Sequence, residues 1–102
     1  MKIEYNIPNY TKAEAYTIVN DFLGNLVEEH KSQLSSPEKV WNNNKDQMDF
    51  SFKVIGFKTS GNIKLLEGKI VLDGSIPLLA RGFNNTIESA ITANLEKAFP
   101  KK

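Results

Sequence analysis

Residues 48–65 read MDFSFKVIGFKTSGNIKL, and the prediction of the fold starts from them. On both sides of Gly56, apolar or small residues alternate with polar ones, which is the pattern of strands with one buried face. Gly56 marks a tight reversal between the two runs. The stretch therefore predicts a β-hairpin. Its inward-facing residues are Met48, Phe50, Phe52 and Val54 on the first strand and Phe57, Thr59, Gly61, Ile63 and Leu65 on the second.

The same alternation continues on either side of this hairpin. Downstream, Gly68 marks another reversal, and the next strand turns Ile70, Leu72, Gly74 and Ile76 inward. Upstream, a polar turn over residues 42–46 follows a short strand at Val40 and Trp41, and Ser-Ser-Pro at residues 35–37 predicts a loop. The reversals are too short for crossover helices, so the pattern predicts an antiparallel meander of four strands.

A strand and two helices flank the meander. KIEYNI at residues 2–7 alternates strictly, and Thr11 and Glu14 form a capping box that starts a helix running to about His30. A second helix is predicted from an Asn85 cap to Pro100. Both helices carry one apolar stripe, so both are expected on the same sheet face. The prediction is a single α+β domain over residues 1–102, with the order β-α-β-β-β-β-α and two helices on one face of an antiparallel sheet.

Bulk composition narrows the class of protein. The chain has 102 residues, no cysteine and a net charge of +1 from 13 basic and 12 acidic residues. This balance lacks the basic footprint of a nucleic-acid binder. The absence of cysteine fits a reducing cytoplasm, and no apolar run approaches the length of a membrane-spanning helix.

The sequence contains no arrangement of residues typical of catalysis. His30 is the single histidine, at the expected end of the first helix, and no carboxylate spacing suits a metal ion. The glycines are spread along the meander instead of forming a phosphate loop. We therefore expect a protein that is not an enzyme and has no catalytic residue, cofactor or metal.

Four residues of the meander are candidates for contact with a ligand or a partner. The aromatic side chains of Trp41 and Phe57 could line a pocket, but their alternation favours the core. Gly61 and Gly74 lie at inward positions, where a missing side chain either lets a helix backbone approach or leaves a hollow for a ligand. Close packing is the favoured interpretation.

Three further candidates lie in SIPLLARGF, residues 75–83. Pro77 ends the last strand, and Leu78 and Leu79 need cover from a helix or from a partner. Arg81 stands just before the second helix, where it and the free helix amides could hold an anion. An ordinary surface ion pair is the alternative.

Together these segments resemble a known family. The best-matched parts are Asp49-Phe50-Ser51-Phe52, Gly56-Phe57, Gly61, residues 76–83 and Ile87-Glu88. They resemble small bacterial proteins of the polyhydroxyalkanoic acid system family, whose region is linked to polyhydroxyalkanoate granules. The element order also resembles a shortened helix-grip domain, the scaffold of START and pollen-allergen-type lipid binders.

For a protein already expected to be non-enzymatic and cytoplasmic, the resemblance implies a role as an adaptor that associates with a polyhydroxyalkanoate granule or with another protein. Two alternatives stay open. One is a domain that binds a small apolar or acyl ligand between the sheet and the second helix. The other is an oligomeric structural module, joined through the edge near residues 2–7 or through residues 77–80.

Overall fold

The computed structural model describes residues 1–75, 82 and 84–101, except for the side chain of Asn84. The described backbone has the predicted order β-α-β-β-β-β-α, which makes it an α+β fold. Its elements are β1 (Lys2–Asn6), α1 (Lys12–Glu29), β2 (Leu34–Trp41), β3 (Gln47–Val54), β4 (Phe57–Leu66), β5 (Lys69–Ser75) and α2 (Asn84–Ala98).

The strands form an antiparallel sheet in the order β1-β5-β4-β3-β2. The predicted meander from β2 to β5 is confirmed, because each of these strands pairs with the next one in the chain. β1 pairs with β5, so β1 and β2 are the two edges of the sheet.

The first helix starts where its capping box predicts. The amide of Glu14 donates to the Thr11 hydroxyl at 3.1 Å, and the amide of Thr11 donates to the Glu14 carboxylate at 2.9 Å. These two bonds satisfy main-chain donors that the first turn of a helix leaves free. The apolar stripe that follows packs on the sheet, and the helix ends with His30 as its C-cap.

The core lies between the two helices and the inner sheet face. The buried apolar side chains come from both helices, from β2 to β5, and from Ile7 and Phe99 just after β1 and α2, and they form one cluster. Thr59 faces this core as predicted, and its hydroxyl has no hydrogen-bond partner among the residues that the structure describes. Within the described part of the chain, neither helix is long and apolar enough to cross a lipid bilayer.

Two predicted boundaries were wrong. Residues 35–37 are not a loop, because β2 already begins at Leu34 and its register against β3 shifts between Ser35 and Glu38. Ser36 has a φ of +54° there, so the segment is a bulge within a strand. The second helix begins at Asn84, so Asn85 is already helical. Asparagine is favoured at a cap but is also tolerated within a helix, so Asn85 alone does not fix the first helical residue.

Candidate functional site at the tip of the β3–β4 hairpin

A tight turn joins β3 to β4, and residues 53–58 are called the hairpin tip below. Val54 pairs with Phe57, so Ile55 and Gly56 form a two-residue loop. Their φ values are +49° and +84°, which correspond to a type I′ turn, the loop that matches the twist of a hairpin.

Ile55 is an unusual residue for this turn. A β-branched side chain at positive φ is a steric outlier, with a cost of roughly 1–2 kcal/mol. Asparagine, aspartate and glycine are the usual residues at this position. The amide of Ile55 donates to the carbonyl of Gln33 at 2.8 Å, which helps to hold the turn in place. The chain therefore keeps a strained residue where a polar one would fit better, and strain of this kind marks candidate functional positions.

Two large apolar side chains are exposed at the hairpin tip. Ile55 is 49% exposed and Phe57 is 40% exposed. The expectation that Phe57 is buried in the core was wrong. It pairs with buried Val54, as the alternation predicts, but it lies at the end of the sheet.

Two lysines flank these apolar side chains. Lys53 and Lys58 are exposed and directly opposite each other on β3 and β4. Like charges in a cross-strand pair destabilise a sheet. The hairpin tip therefore combines an apolar end with two neighbouring positive charges. This arrangement is suited to binding an apolar surface that carries hydrogen-bond acceptors or anions.

Trp41 is held by contacts within the chain. Its indole N–H donates to the side-chain oxygen of Asn20 at 3.0 Å, and its ring meets that of Tyr16 edge-on at 4.6 Å. These contacts fix β2 against α1. They give Trp41 a packing role, whatever else it contacts.

Gly61 and Gly74 lie directly opposite each other, and Phe50 pairs with Gly61 from the other side. A Cβ atom on Gly61 would overlap the carbonyl oxygen of Asp73 and lie 2.7 Å from the Gly74 Cα. On Gly74 it would lie 3.2 Å from the Met1 side chain. Close packing thus occupies both positions, but the backbone that approaches Gly61 belongs to a strand and not to a helix.

The remaining predicted site residues are Leu78, Leu79 and Arg81, and all three lie outside the described residues. The predictions made for them stay predictions.

Little space remains between the described parts of the sheet and α2. The apolar cavity lined by Leu34, Val54 and Ile91 measures about 10 Å³, which is room for about one water molecule. Pockets for drug-sized ligands are roughly 300–1,000 Å³. This cavity gives no support to the predicted acyl-ligand site.

A groove of about 330 Å³ runs between the two helices. In it, the Lys97 ammonium contacts a Glu29 carboxylate oxygen at 2.5 Å, and buried Asn94 donates to the carbonyl of Ala90 at 3.1 Å. The hydrogen bond from Lys97 lowers the pKa of Glu29 below its ordinary value of 4.5. The Lys97–Glu29 contact joins α2 to α1, whereas the Asn94–Ala90 hydrogen bond lies within α2. Among the described residues, no group of three or more histidine, aspartate or glutamate side chains could hold a metal ion.

Alternation does not single out Ile55. This residue falls between the two alternating runs, and its exposure depends on the two-residue loop that the strand register creates. An apolar, β-branched residue just before the turn glycine was the available signal.

One of three comparisons with known proteins found a match. Residues 9–99 match the family described as "Putative polyhydroxyalkanoic acid system protein". A search of curated proteins found no significant match, and a search of solved structures found none either. Because the family match covers most of the chain, this chain belongs to the polyhydroxyalkanoic acid system protein family.

Proposed function

We propose that this chain is a non-catalytic, cytoplasmic adaptor of the polyhydroxyalkanoate system that contacts the granule surface through the hairpin tip. The observation that carries the proposal is the exposure of strained Ile55 together with Phe57 at one turn. Binding is favoured over catalysis because these groups project from a convex turn instead of converging in a cleft.

The chemistry of the hairpin tip is complementary to a polyester surface. Such a surface is mostly apolar, with ester carbonyls and terminal carboxylates as hydrogen-bond acceptors. Contact with the polymer would bury the apolar surface of Ile55 and Phe57. This burial favours binding by a free energy of about 25 cal/mol for each Å² of apolar surface. Lys53 and Lys58 would donate to the acceptors, which removes the cost of two unpaired like charges.

The test is co-sedimentation of the purified protein with amorphous poly(3-hydroxybutyrate) particles. We expect the wild-type protein to pellet with the particles and the Ile55→Asn/Phe57→Thr variant to bind at least about tenfold more weakly. Asparagine is favoured at positive φ, so the first substitution is also expected to stabilise the fold by about 1 kcal/mol. Phe57→Thr removes a ring that is only 40% exposed, so circular dichroism of the double variant must show a native fold before lost binding is assigned to the hairpin tip.

Val40→Thr is the matched control. Val40 is 68% exposed on an edge strand, so it tests for general adsorption through apolar side chains. It should bind like the wild-type protein. The proposal is wrong if the wild-type protein stays in the supernatant, or if the hairpin-tip variant pellets as well as the control.

A further inference from the structure

The two edge strands of the sheet differ in how they are protected against pairing with another chain. On β2, a bulge interrupts the strand, Pro37 lacks an amide hydrogen, and Lys39 donates to the Asn20 carbonyl of α1. Bulges, prolines and inward-turned charges are the devices that keep edge strands from pairing with other chains. β1 has no bulge or proline along Lys2–Asn6.

The hydrogen bonds of β1 show which main-chain groups face outward. Ile7 donates to the carbonyl of Gly68, and Gly74 and Met1 exchange two hydrogen bonds. Bonded and non-bonded pairs alternate along an antiparallel ladder, so the odd-numbered residues of β1 bond to β5. The amides and carbonyls of Lys2, Glu4 and Asn6 therefore point away from the sheet. All three residues are exposed, and their main chains have no hydrogen-bond partner among the described residues.

The side chains of β1 form two different rows. Lys2, Glu4 and Asn6 lie on the outer face, and Met1, Ile3 and Tyr5 lie half-buried against the core. An added strand would meet charge on one face and apolar surface on the other.

We propose that two copies of this chain pair antiparallel along β1, with Ile3 opposite Ile3 of the second copy, to form a continuous ten-stranded sheet. This register places Lys2 of each copy opposite Glu4 of the other. The contact is therefore self-complementary, as a two-fold interface requires. The half-exposed apolar row is covered at the same time.

Charge selects this register from the alternatives. Residues whose main-chain groups point away from the sheet (Lys2, Glu4 and Asn6) must lie opposite such residues of the second copy. Three antiparallel registers place at least two of these residues opposite one another. The first is the register proposed above. The second places Glu4 opposite Glu4 of the other copy, which is repulsive. The third pairs Glu4 with Asn6 and leaves Lys2 without an opposite charge. Only the first makes two oppositely charged pairs.

A charge-swap experiment followed by sedimentation equilibrium tests the dimer. We expect the wild-type chain to dimerise as its concentration rises, and Lys2→Glu and Glu4→Lys each to weaken the dimer at least about tenfold, because each substitution creates two repulsive pairs. The variant that carries both substitutions should regain the wild-type Kd. Lys64→Glu makes the same charge change in the middle of the outer face and should leave the Kd unchanged.

A wild-type chain that stays monomeric at millimolar concentration would overturn the proposal. So would single variants that dimerise as tightly as the wild-type chain. If circular dichroism shows that a single variant is unfolded, the salt dependence of the wild-type dimer is measured instead. Its Kd should rise with ionic strength, and a Kd that does not change with ionic strength contradicts the register. The hairpin tip takes no part in this interface, so either proposal can fail without the other.

Discussion

At Gly61 the backbone of the neighbouring strand leaves no room for a side chain. It lies between Phe50 on β3 and Gly74 on β5, and the aromatic ring of Phe50 lies against it. A glycine here allows the β4 and β5 backbones to approach each other, and the aromatic ring of Phe50 covers the space that its missing side chain leaves. This arrangement also helps to fix the register of the strands. The glycine is therefore part of the packing of the sheet.

Gly61→Ala is expected to reduce the free energy of unfolding by about 1–3 kcal/mol, because its Cβ would meet backbone atoms that cannot move without shifting a strand. Urea denaturation monitored by circular dichroism measures the change. Gly24→Ala is the comparison, since nothing lies within 4 Å of the added Cβ in α1. It should gain about 1 kcal/mol from the higher helix propensity of alanine. Equal effects of the two substitutions would contradict this interpretation of Gly61.

The elements themselves were largely predictable from sequence, because each carries a complete local signal. The capping box at Thr11 and Glu14 fixed the start of α1, and strict alternation defined β3 and β4. The bulge in β2 was not predictable in the same way. Ser35 and Pro37 are typical of a loop, and only pairing with β3 turns that segment into a strand. The exposure of Phe57 likewise depends on where the sheet ends, which alternation does not reveal.

The contact between α1 and α2 has a pH dependence that follows from Glu29. Its pKa is lowered mainly by the hydrogen bond from Lys97, while desolvation acts in the opposite direction. A carboxylate whose pKa is lower in the folded state stabilises the fold above its unfolded-state pKa. That contribution is lost as the pH falls through the folded-state pKa.

Lys97→Met should therefore lower stability at pH 7, and its difference from the wild-type protein should shrink as the pH falls below 4.5, where Glu29 becomes protonated in both proteins. The effect is small because the pair is exposed to solvent. Urea midpoints measured from pH 7 to pH 3 give the comparison. Lys101→Met removes the same charge from the exposed C-terminal segment and should not show this convergence. A Lys97→Met difference that is constant across this range would rule out the proposed role of Glu29.

At the scale of the whole molecule, the residues near both ends of the described chain meet around the side chain of Phe99. Phe99, just after α2, is 4% exposed and packs edge-on against Tyr10 at 5.1 Å and tilted against Tyr5 at 6.4 Å. The Tyr10 hydroxyl donates to the carbonyl of Pro100 at 2.6 Å. β1, the segment before α1 and the end of α2 are thus joined at one aromatic cluster. Because β1 pairs only with β5 among the described strands, this cluster also supports the edge at which we propose that two copies meet.

Phe99→Ala is expected to reduce the free energy of unfolding by about 3–5 kcal/mol, the usual cost of truncating a buried phenylalanine. That is a large part of the roughly 5–15 kcal/mol that stabilises a domain. Tyr10→Phe removes only a hydroxyl at an exposed carbonyl and should cost about 1 kcal/mol or less. Urea denaturation of both variants, with circular dichroism of the helices, provides the measurement. A Phe99→Ala loss below about 1 kcal/mol would mean that the end of α2 is not part of the core, and the support that β1 receives from it would then have to come from the ladder with β5 alone.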